Sequence, residues 1–165
     1  MPLVPSYIKN LASYKPGLRM DDVKRDKGLD RAIKLASNEN SMGPAPLAIA
    51  AIESNMQKVN RYPDASGRAL RTKLAKKFDV KIENVIIGAG SEGIMSNILK
   101  TFLLGDDEIV SAADSFIGFR VLANATGRLI HWVPMKNHRI DLGGIAEKIN
   151  DYTKIIYIAN PDNPM

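Results

Sequence analysis

From residue 84 onward, short apolar segments rich in β-branched residues alternate with segments of helical periodicity. The apolar segments are NVIIG (84–88), DEIVSA (107–112), RLIHWV (128–133) and KIIYIAN (154–160), and helices are predicted near residues 91–104, 116–126 and 142–150. Because parallel strands need long crossover connections, this alternation favours a mainly parallel sheet covered by helices. The sequence therefore predicts an α/β fold.

The preceding part of the chain is less regular. Residues 1–32 show no sustained period, so we predict an N-terminal arm with at most a short helix in MDDVKRDKG (20–28). A short strand is predicted in IKLAS (33–37), and two helices in PLAIAAIESNMQKV (46–59) and GRALRTKLAKKFDV (67–80).

Composition narrows the class of protein. The chain of 165 residues has the apolar and charged fractions of a soluble globular protein, and its N-terminus lacks the pattern of a signal peptide. No segment approaches the length of a membrane span, so we expect a cytoplasmic protein. Cysteine is absent, and His131 and His138 lie on either side of Pro134, so no metal site is predicted. The net charge of +5 comes from scattered residues, which argues against nucleic-acid binding.

Ligands of open parallel sheets bind at the carboxyl ends of the strands. The residues that follow the predicted strands are Ser91 and Glu92, Asp114 to Phe116, and Asn160 to Asn163. The glycine-rich turn GAGSEG (88–93) joins an apolar segment to a predicted helix, and helix N-termini bind anions through unpaired amides. This turn is therefore expected to bind a phosphate group.

The identity of that phosphate is open at this level. Gly88, Gly90 and Gly93 satisfy the dinucleotide-binding pattern, and Asp114 follows where an acid that binds ribose is expected, as in an NAD-dependent dehydrogenase. The glycines can also serve a tight turn alone. Phe116 can cover a planar ring or belong to the core, and Asn163 can donate an amide hydrogen bond or simply form a turn.

Several motifs together are more specific than the glycine turn. They are KLASNENSMGP (34–44), NRYPD (60–64), GAGSEGIM (88–95), the aromatic residue after VSAADS (110–115), and NPDNP (160–164). Their order and spacing resemble those of histidinol-phosphate aminotransferases, which are fold-type-I enzymes that depend on pyridoxal phosphate. The resemblance implies an N-terminal arm (1–32) followed by an incomplete large domain (33–165) that contains the first half of its mainly parallel, helix-covered sheet.

The resemblance also implies roles for individual residues. Ser91 and Glu92, together with Gly90, would donate backbone amides to the phosphate of pyridoxal phosphate, and Phe116 would stack on the pyridine ring. Asn163 would donate a hydrogen bond to the phenolic oxygen of the ring. Tyr62 resembles a tyrosine that reaches the cofactor phosphate of the other subunit of a homodimer. Tyr14 resembles an arm residue close to the phosphate of the substrate.

No catalytic residue is assigned within the chain. The family pattern places the Schiff-base lysine after the NPDNP loop, so it is expected beyond Met165, and we expect the chain alone to be inactive. The resemblance implies transamination between L-histidinol phosphate and 2-oxoglutarate by the complete protein. An aromatic aminotransferase, a phosphothreonine decarboxylase and a non-catalytic binding protein remain alternatives, as does the dehydrogenase.

Overall fold

The computed structural model describes residues 3–12 and 17–163. Its helices and strands, in chain order, are α1 (Ser6–Lys9), α2 (Met20–Lys27), α3 (Pro46–Asn55), α4 (Arg68–Phe78), α5 (Gly90–Phe102), β1 (Glu108–Ala112), α6 (Ile117–Asn124), β2 (Ile130–Val133), α7 (Leu142–Glu147) and β3 (Thr153–Tyr157). The chain divides into two compact units, which are described separately. One comprises residues 1–14 and 86–165, and the other comprises residues 15–85.

The first unit contains a sheet of three parallel strands in the order β2-β1-β3. In the central strand, Ile109 is opposite Ile130 of β2 and Ile155 of β3. Ile109 packs with residues of α5 and α6 in one core cluster, whereas its neighbour Val110 packs with Ile145 of α7 in another. Since successive side chains of a strand point to opposite faces, β1 is buried on both faces of the sheet.

The second unit is built around its helices. Helix α4 begins after Gly67, which has a positive φ of 56°, and ends at Asp79, which is also left-handed. The guanidinium group of Arg71 donates hydrogen bonds to the backbone oxygens of Val85, at 2.8 Å, and Ile82, at 2.9 Å. This residue therefore fastens α4 to the segment that leads to the glycine-rich turn.

Most of the predicted elements are confirmed. The helices expected near residues 91–104, 116–126 and 142–150 are α5, α6 and α7, and the segments DEIVSA, RLIHWV and KIIYIAN contain β1, β2 and β3. The three strands pair in parallel, as the alternation predicts. Helices α2, α3 and α4 also lie where the sequence predicts them, while the short α1 is an additional element.

Two predicted strands are wrong. Residues 33–37 form no strand, and residues 85–88 are extended at Val85 but pair with no strand of the part of the chain that the structure describes. The side chain of Ile86 is 79% exposed. An apolar segment favours extended backbone, but a strand also needs a neighbour for its backbone hydrogen bonds, and the order β2-β1-β3 places none beside these residues.

Two further observations concern residues 3–12 and 17–163 only. No helix among them is long and apolar enough to cross a membrane. No group of three or more histidine, cysteine, aspartate or glutamate side chains within these ranges could hold a metal ion.

Candidate functional site

The glycine-rich turn directs backbone amides out of the start of α5. Gly90 has a φ of +67°, which favours glycine, and its amide donates to the oxygen of Gly88 at 2.8 Å. The amide of Gly93 donates to the oxygen of Ala89 at 3.3 Å. Among the described residues, the intervening amides of Ser91 and Glu92 have no carbonyl acceptor. Two adjacent donors at the positive end of the helix can therefore bind an anion.

Phe116 and Glu92 line one small cavity in the same unit. The cavity has a volume of about 230 Å³ and is otherwise lined by Ile117, Gly118, Val121 and Leu122. A side-chain carbon on Gly118 would lie 2.6 Å from Oε1 of Glu92 and 2.6 Å from the ring of Phe116. The absence of a side chain at Gly118 thus leaves room for both groups.

The loops that follow β1 and β3 are joined by side chains. The hydroxyl of Ser115 donates to Oδ1 of Asp162 at 2.5 Å, although the two residues are far apart in the sequence. Within the sheet, the hydroxyl of Ser111 donates to the backbone oxygen of Tyr157 at 3.2 Å. Because Phe116 follows Ser115 and Asn163 follows Asp162, these contacts place two predicted site residues on adjoining loops.

Aromatic side chains pack next to the loops that follow β1 and β3. The rings of Phe119 and Tyr157 are stacked, and Phe116 packs against the core cluster that contains Phe119. The pKa of Tyr157 is raised above its ordinary value, first by burial and then by the negative charge of Asp162. Tyr157 therefore lies in the field of the Asp162 carboxylate.

Arg120 fixes the backbone at the end of β1. Its guanidinium Nη1 donates to the oxygen of Ala113 at 2.6 Å, and the group lies 5.0 Å from the ring centroid of Trp132. Cation–π attraction and the hydrogen bond together link α6, β2 and the loop that carries Phe116. Arg120 thus links this loop to α6 and β2.

A second polar cluster lies at the opposite edge of the sheet. Oε2 of Glu108 is 2.7 Å from Nε2 of His131 and accepts from the amide of Asn150 at 2.8 Å. The hydrogen bond from Asn150, and then that from His131, lowers the pKa of Glu108. Since ligands of such sheets bind at the carboxyl ends, we interpret this cluster as a structural link between β1, β2 and the turn before β3.

Tyr62, the predicted inter-subunit residue, is fully exposed and belongs to the unit of residues 15–85. Tyr14 lies outside the described residues. Asn163 is exposed, beside the buried oxygen of Asp162, and it makes interactions of its own. Asp114, the candidate ribose ligand, is exposed in the loop after β1.

Sequence reasoning missed the parts played by Ser115, Asp162 and Gly118. Ser115 and Asp162 lie in the two segments predicted to follow strands, so their region was identified while their contact was not. The predicted parallel arrangement could have indicated this contact, because adjacent parallel strands bring their carboxyl ends to the same edge of the sheet. Gly118 gives no such signal, since a glycine in a helical segment looks like a weak helix former.

Comparisons with known proteins identify related sequences and folds. Residues 30–165 match the family described as aminotransferase class I and II. The histidinol-phosphate aminotransferase of Anaeromyxobacter sp. (strain Fw109-5) is 39% identical over 165 residues, which is 99% of this chain and 45% of the relative. A second relative, histidinol-phosphate aminotransferase 2 of Haemophilus influenzae (strain ATCC 51907 / DSM 11121 / KW20 / Rd), is 37% identical over 95% of this chain and 43% of its own length.

Solved structures show the same likeness. The histidinol-phosphate aminotransferase of Sinorhizobium meliloti, determined in complex with pyridoxal-5'-phosphate, superposes with a TM-score of 0.83 at 25% identity and covers 100% of this chain and 44% of its own. A Thermus thermophilus aspartate aminotransferase double mutant has a TM-score of 0.78 at 18% identity, covering 100% of this chain and 46% of its own, and shows the shared fold alone. The chain spans less than half the length of these relatives.

Proposed function

This chain belongs to the aminotransferase class I and II family, and we propose that the complete protein is a pyridoxal-phosphate-dependent histidinol-phosphate aminotransferase. It would exchange an amino group between L-histidinol phosphate and 2-oxoglutarate in histidine biosynthesis. The observation that carries the proposal is the 39% identity to a relative of that name across 99% of the chain. Because the chain spans 45% of that relative, the proposal concerns the complete protein.

The residues present fit the proposed cofactor. The free amides of Ser91 and Glu92 suit a phosphate, because they lie at a helix N-terminus where glycine lets the anion approach closely. Phe116 borders a cavity beside Glu92 in the same unit, so an aromatic face lies near the anion-binding end of α5. Phosphate donors and an aromatic surface are the two features that a pyridine ring with a phosphate arm requires.

The proposed roles follow from these positions. When bound, pyridoxal phosphate supplies the electron sink that stabilises a carbanion at the substrate. The amides of Ser91 and Glu92 would bind and orient the phosphate, and Gly90, whose own amide donates to the oxygen of Gly88, would let the anion approach the backbone closely. Phe116 would pack against the ring and shield one face from water, and Asn163 would donate its amide to the phenolic oxygen of the ring.

We assign no catalytic residue to this chain. Among the described residues, no lysine lines the cavity beside Phe116. As the family pattern implies, we propose that the Schiff-base lysine of the complete protein lies after the NPDNP loop. The proposal also retains the arm (1–32) and the large domain that begins at residue 33 as the domain organisation.

We further propose that the protein is a homodimer in which Tyr62 reaches the cofactor phosphate of the other subunit and Tyr14 lies near the phosphate of the substrate. Two observations support it. The side chain of Tyr62 is fully exposed, in a loop between α3 and α4. Helix α3 contains no buried residue, and its Leu47 and Ile52 are 85% and 65% exposed. Exposed apolar surface of this kind is typical of a contact surface, either with another subunit or with the rest of the complete protein. We also propose a cytoplasmic location, which the lack of cysteine supports.

The experiment is a substrate comparison with the complete protein. We expect a change in absorbance when pyridoxal phosphate is added, and formation of glutamate from 2-oxoglutarate with L-histidinol phosphate as the donor. Aromatic amino acids and phosphothreonine serve as competing substrates, and carbon dioxide release is measured with the latter. A strong preference for an aromatic amino acid, or release of carbon dioxide without glutamate, would overturn the proposed substrate. Failure to bind pyridoxal phosphate would overturn the cofactor assignment.

A further inference from the structure

One side-chain contact joins the two loops on which predicted cofactor residues lie. Ser115 belongs to the loop between β1 and α6, and Asp162 belongs to the loop after β3. The hydroxyl of Ser115 donates to Oδ1 of Asp162 at 2.5 Å, a length typical of a hydroxyl that donates to an ionised carboxylate. Hydrogen bonds of this kind are about twice as strong as those between neutral groups.

Within residues 3–12 and 17–163, Ser115 is the one hydrogen-bond donor to the carboxylate of Asp162. Its second oxygen, Oδ2, is buried and accepts no hydrogen bond from any described residue. A buried polar atom without a partner is costly, so native structures retain few of them away from functional sites. Tyr157, which packs against the core cluster, is partly buried, and the negative charge of Asp162 contributes to raising its pKa. Removal of the Ser115 hydroxyl would leave both carboxylate oxygens without a donor from the described residues.

We propose that Ser115 and Asp162 are a positioning pair, which holds Asn163 at a fixed distance from Phe116 and so orients the cofactor ring between the two loops. This inference rests on the proposed function, since it assigns the pair a role toward pyridoxal phosphate. Neither side chain needs to touch the cofactor. Each immediately precedes a residue that is proposed to do so. Misplacement of such a residue by about 1 Å lowers the affinity for the cofactor and the reaction rate.

Backbone pairing alone does not fix the positions of the two loops. Pairing of β1 with β3 ends at Ser111 and Tyr157, several residues before the two loops reach Phe116 and Asn163. Beyond that point the hydrogen bonds between β1 and β3 no longer fix the distance between the two segments. The hydrogen bond between the side chains of Ser115 and Asp162 joins these two loops. It therefore keeps the loops at a defined separation beyond the end of the strand pairing.

The test uses Ser115→Ala, Asp162→Ala and the double variant in the complete protein. Ser115→Thr, which keeps the hydroxyl, is the conservative variant, and Asp151→Ala is the control for loss of an exposed carboxylate in the same unit. We expect Ser115→Ala and Asp162→Ala each to weaken binding of pyridoxal phosphate by about tenfold or more, as for a hydrogen bond to a charged group. The double variant should bind no more weakly than the weaker single variant, because both remove the same contact.

Two readouts separate positioning from a general loss of stability. Asn163 is proposed to stabilise the phenolate oxygen of the ring, so Ser115→Ala should shift upward the pH at which the absorbance of the bound cofactor titrates. Ser115→Thr should restore the original value. In the cofactor-free protein, hydrogen exchange of amides in residues 113–117 and 158–163 should rise together in Ser115→Ala and not in Ser115→Thr.

The outcomes are distinct. Unchanged exchange in both loops, or additive losses of affinity in the double variant, would overturn the positioning pair while leaving the proposed cofactor in place. Faster exchange with unaltered affinity and an unaltered absorbance titration would also overturn it. If the unsubstituted protein binds no pyridoxal phosphate, the proposed function fails, and the positioning role fails with it.

Discussion

The rings of Phe119 and Tyr157 are nearly parallel, with an interplanar angle of 8° and centroids 3.7 Å apart. The contact joins α6 to β3 under the loops of the candidate site, and Phe119 is almost fully buried. We expect Phe119→Ala to lower the free energy of unfolding by about 3–5 kcal/mol, because the ring is lost and a cavity remains. Denaturant unfolding measures the change. The exposed Tyr152 provides the matched control, and Tyr152→Ala should change stability by about 0.5 kcal/mol or less. Equal losses in the two variants would contradict this account of the core.

Gly118 is expected to be required for the placement of Phe116 and Glu92 at the cavity. A side chain at this position would lie 2.6 Å from the Phe116 ring and 2.6 Å from Glu92, so one of them must move. We expect Gly118→Ala to lower the free energy of unfolding by about 1–3 kcal/mol, the usual cost of overpacking, and to weaken binding of pyridoxal phosphate because the ring of Phe116 is displaced. Gly143→Ala is the control, since its added carbon would meet only Asp141 at 3.5 Å. Fluorescence titration should show normal binding for the control, and an equally weak control would contradict the prediction.

The start of α5 is expected to bind phosphate through its backbone more than through the Ser91 hydroxyl. Ser91→Ala should weaken cofactor binding by about 0.5–1.5 kcal/mol, which is the contribution of one hydrogen bond. Ser91→Pro should weaken it much further, because proline removes an amide while remaining compatible with the first turn of a helix. Circular dichroism verifies that both variants fold. Equally small effects of the two substitutions on the dissociation constant would argue against the backbone site.

Tyr62 is expected to act across the subunit interface. Mixing the complete Tyr62→Phe protein with a variant that lacks the Schiff-base lysine should produce heterodimers in which one site carries both defects and the other carries neither. Transaminase activity should therefore recover after mixing and refolding, toward the statistical fraction of intact sites. Native mass spectrometry establishes that mixed dimers form. Mixed dimers without recovered activity would refute a role for Tyr62 in the other subunit.

Glu108 is expected to make the protein sensitive to acid. Hydrogen bonds from Asn150 and His131 hold the pKa of its carboxyl below the ordinary value of 4.5. The ionised form is therefore favoured in the folded state, and its contribution to stability is present above that value and is lost as the pH falls through the lowered pKa. In Glu108→Gln, the melting temperature should decline less steeply between about pH 5 and pH 3. Glu83→Gln, an exposed control, should keep the original slope, and identical slopes for all three proteins would contradict the prediction.

Local sequence patterns were sufficient to predict the parallel sheet and the helices that cover it. The segments around Ile109, Ile130 and Ile155 are short, apolar and rich in β-branched residues, and helical segments of crossover length separate them. These properties are set within a few residues of each position, so they can be detected without knowing the partners. The same is true of the glycine turn, because the left-handed backbone of Gly90 is a local requirement.

Pairing between distant segments depended on the tertiary structure. The apolar segment at Ile86 has the composition of a strand, yet it pairs with no strand in the part of the chain that the structure describes, and a strand exists only where another segment accepts its hydrogen bonds. The contact between Ser115 and Asp162, and the space at Gly118 that Phe116 and Glu92 occupy, likewise arise from the order β2-β1-β3 and the packing of α6. The sequence alone determined which residue types follow each strand. Only the folded chain decided which of them meet, because contact between residues far apart in sequence is set by the packing of whole elements and not by the residues' own preferences.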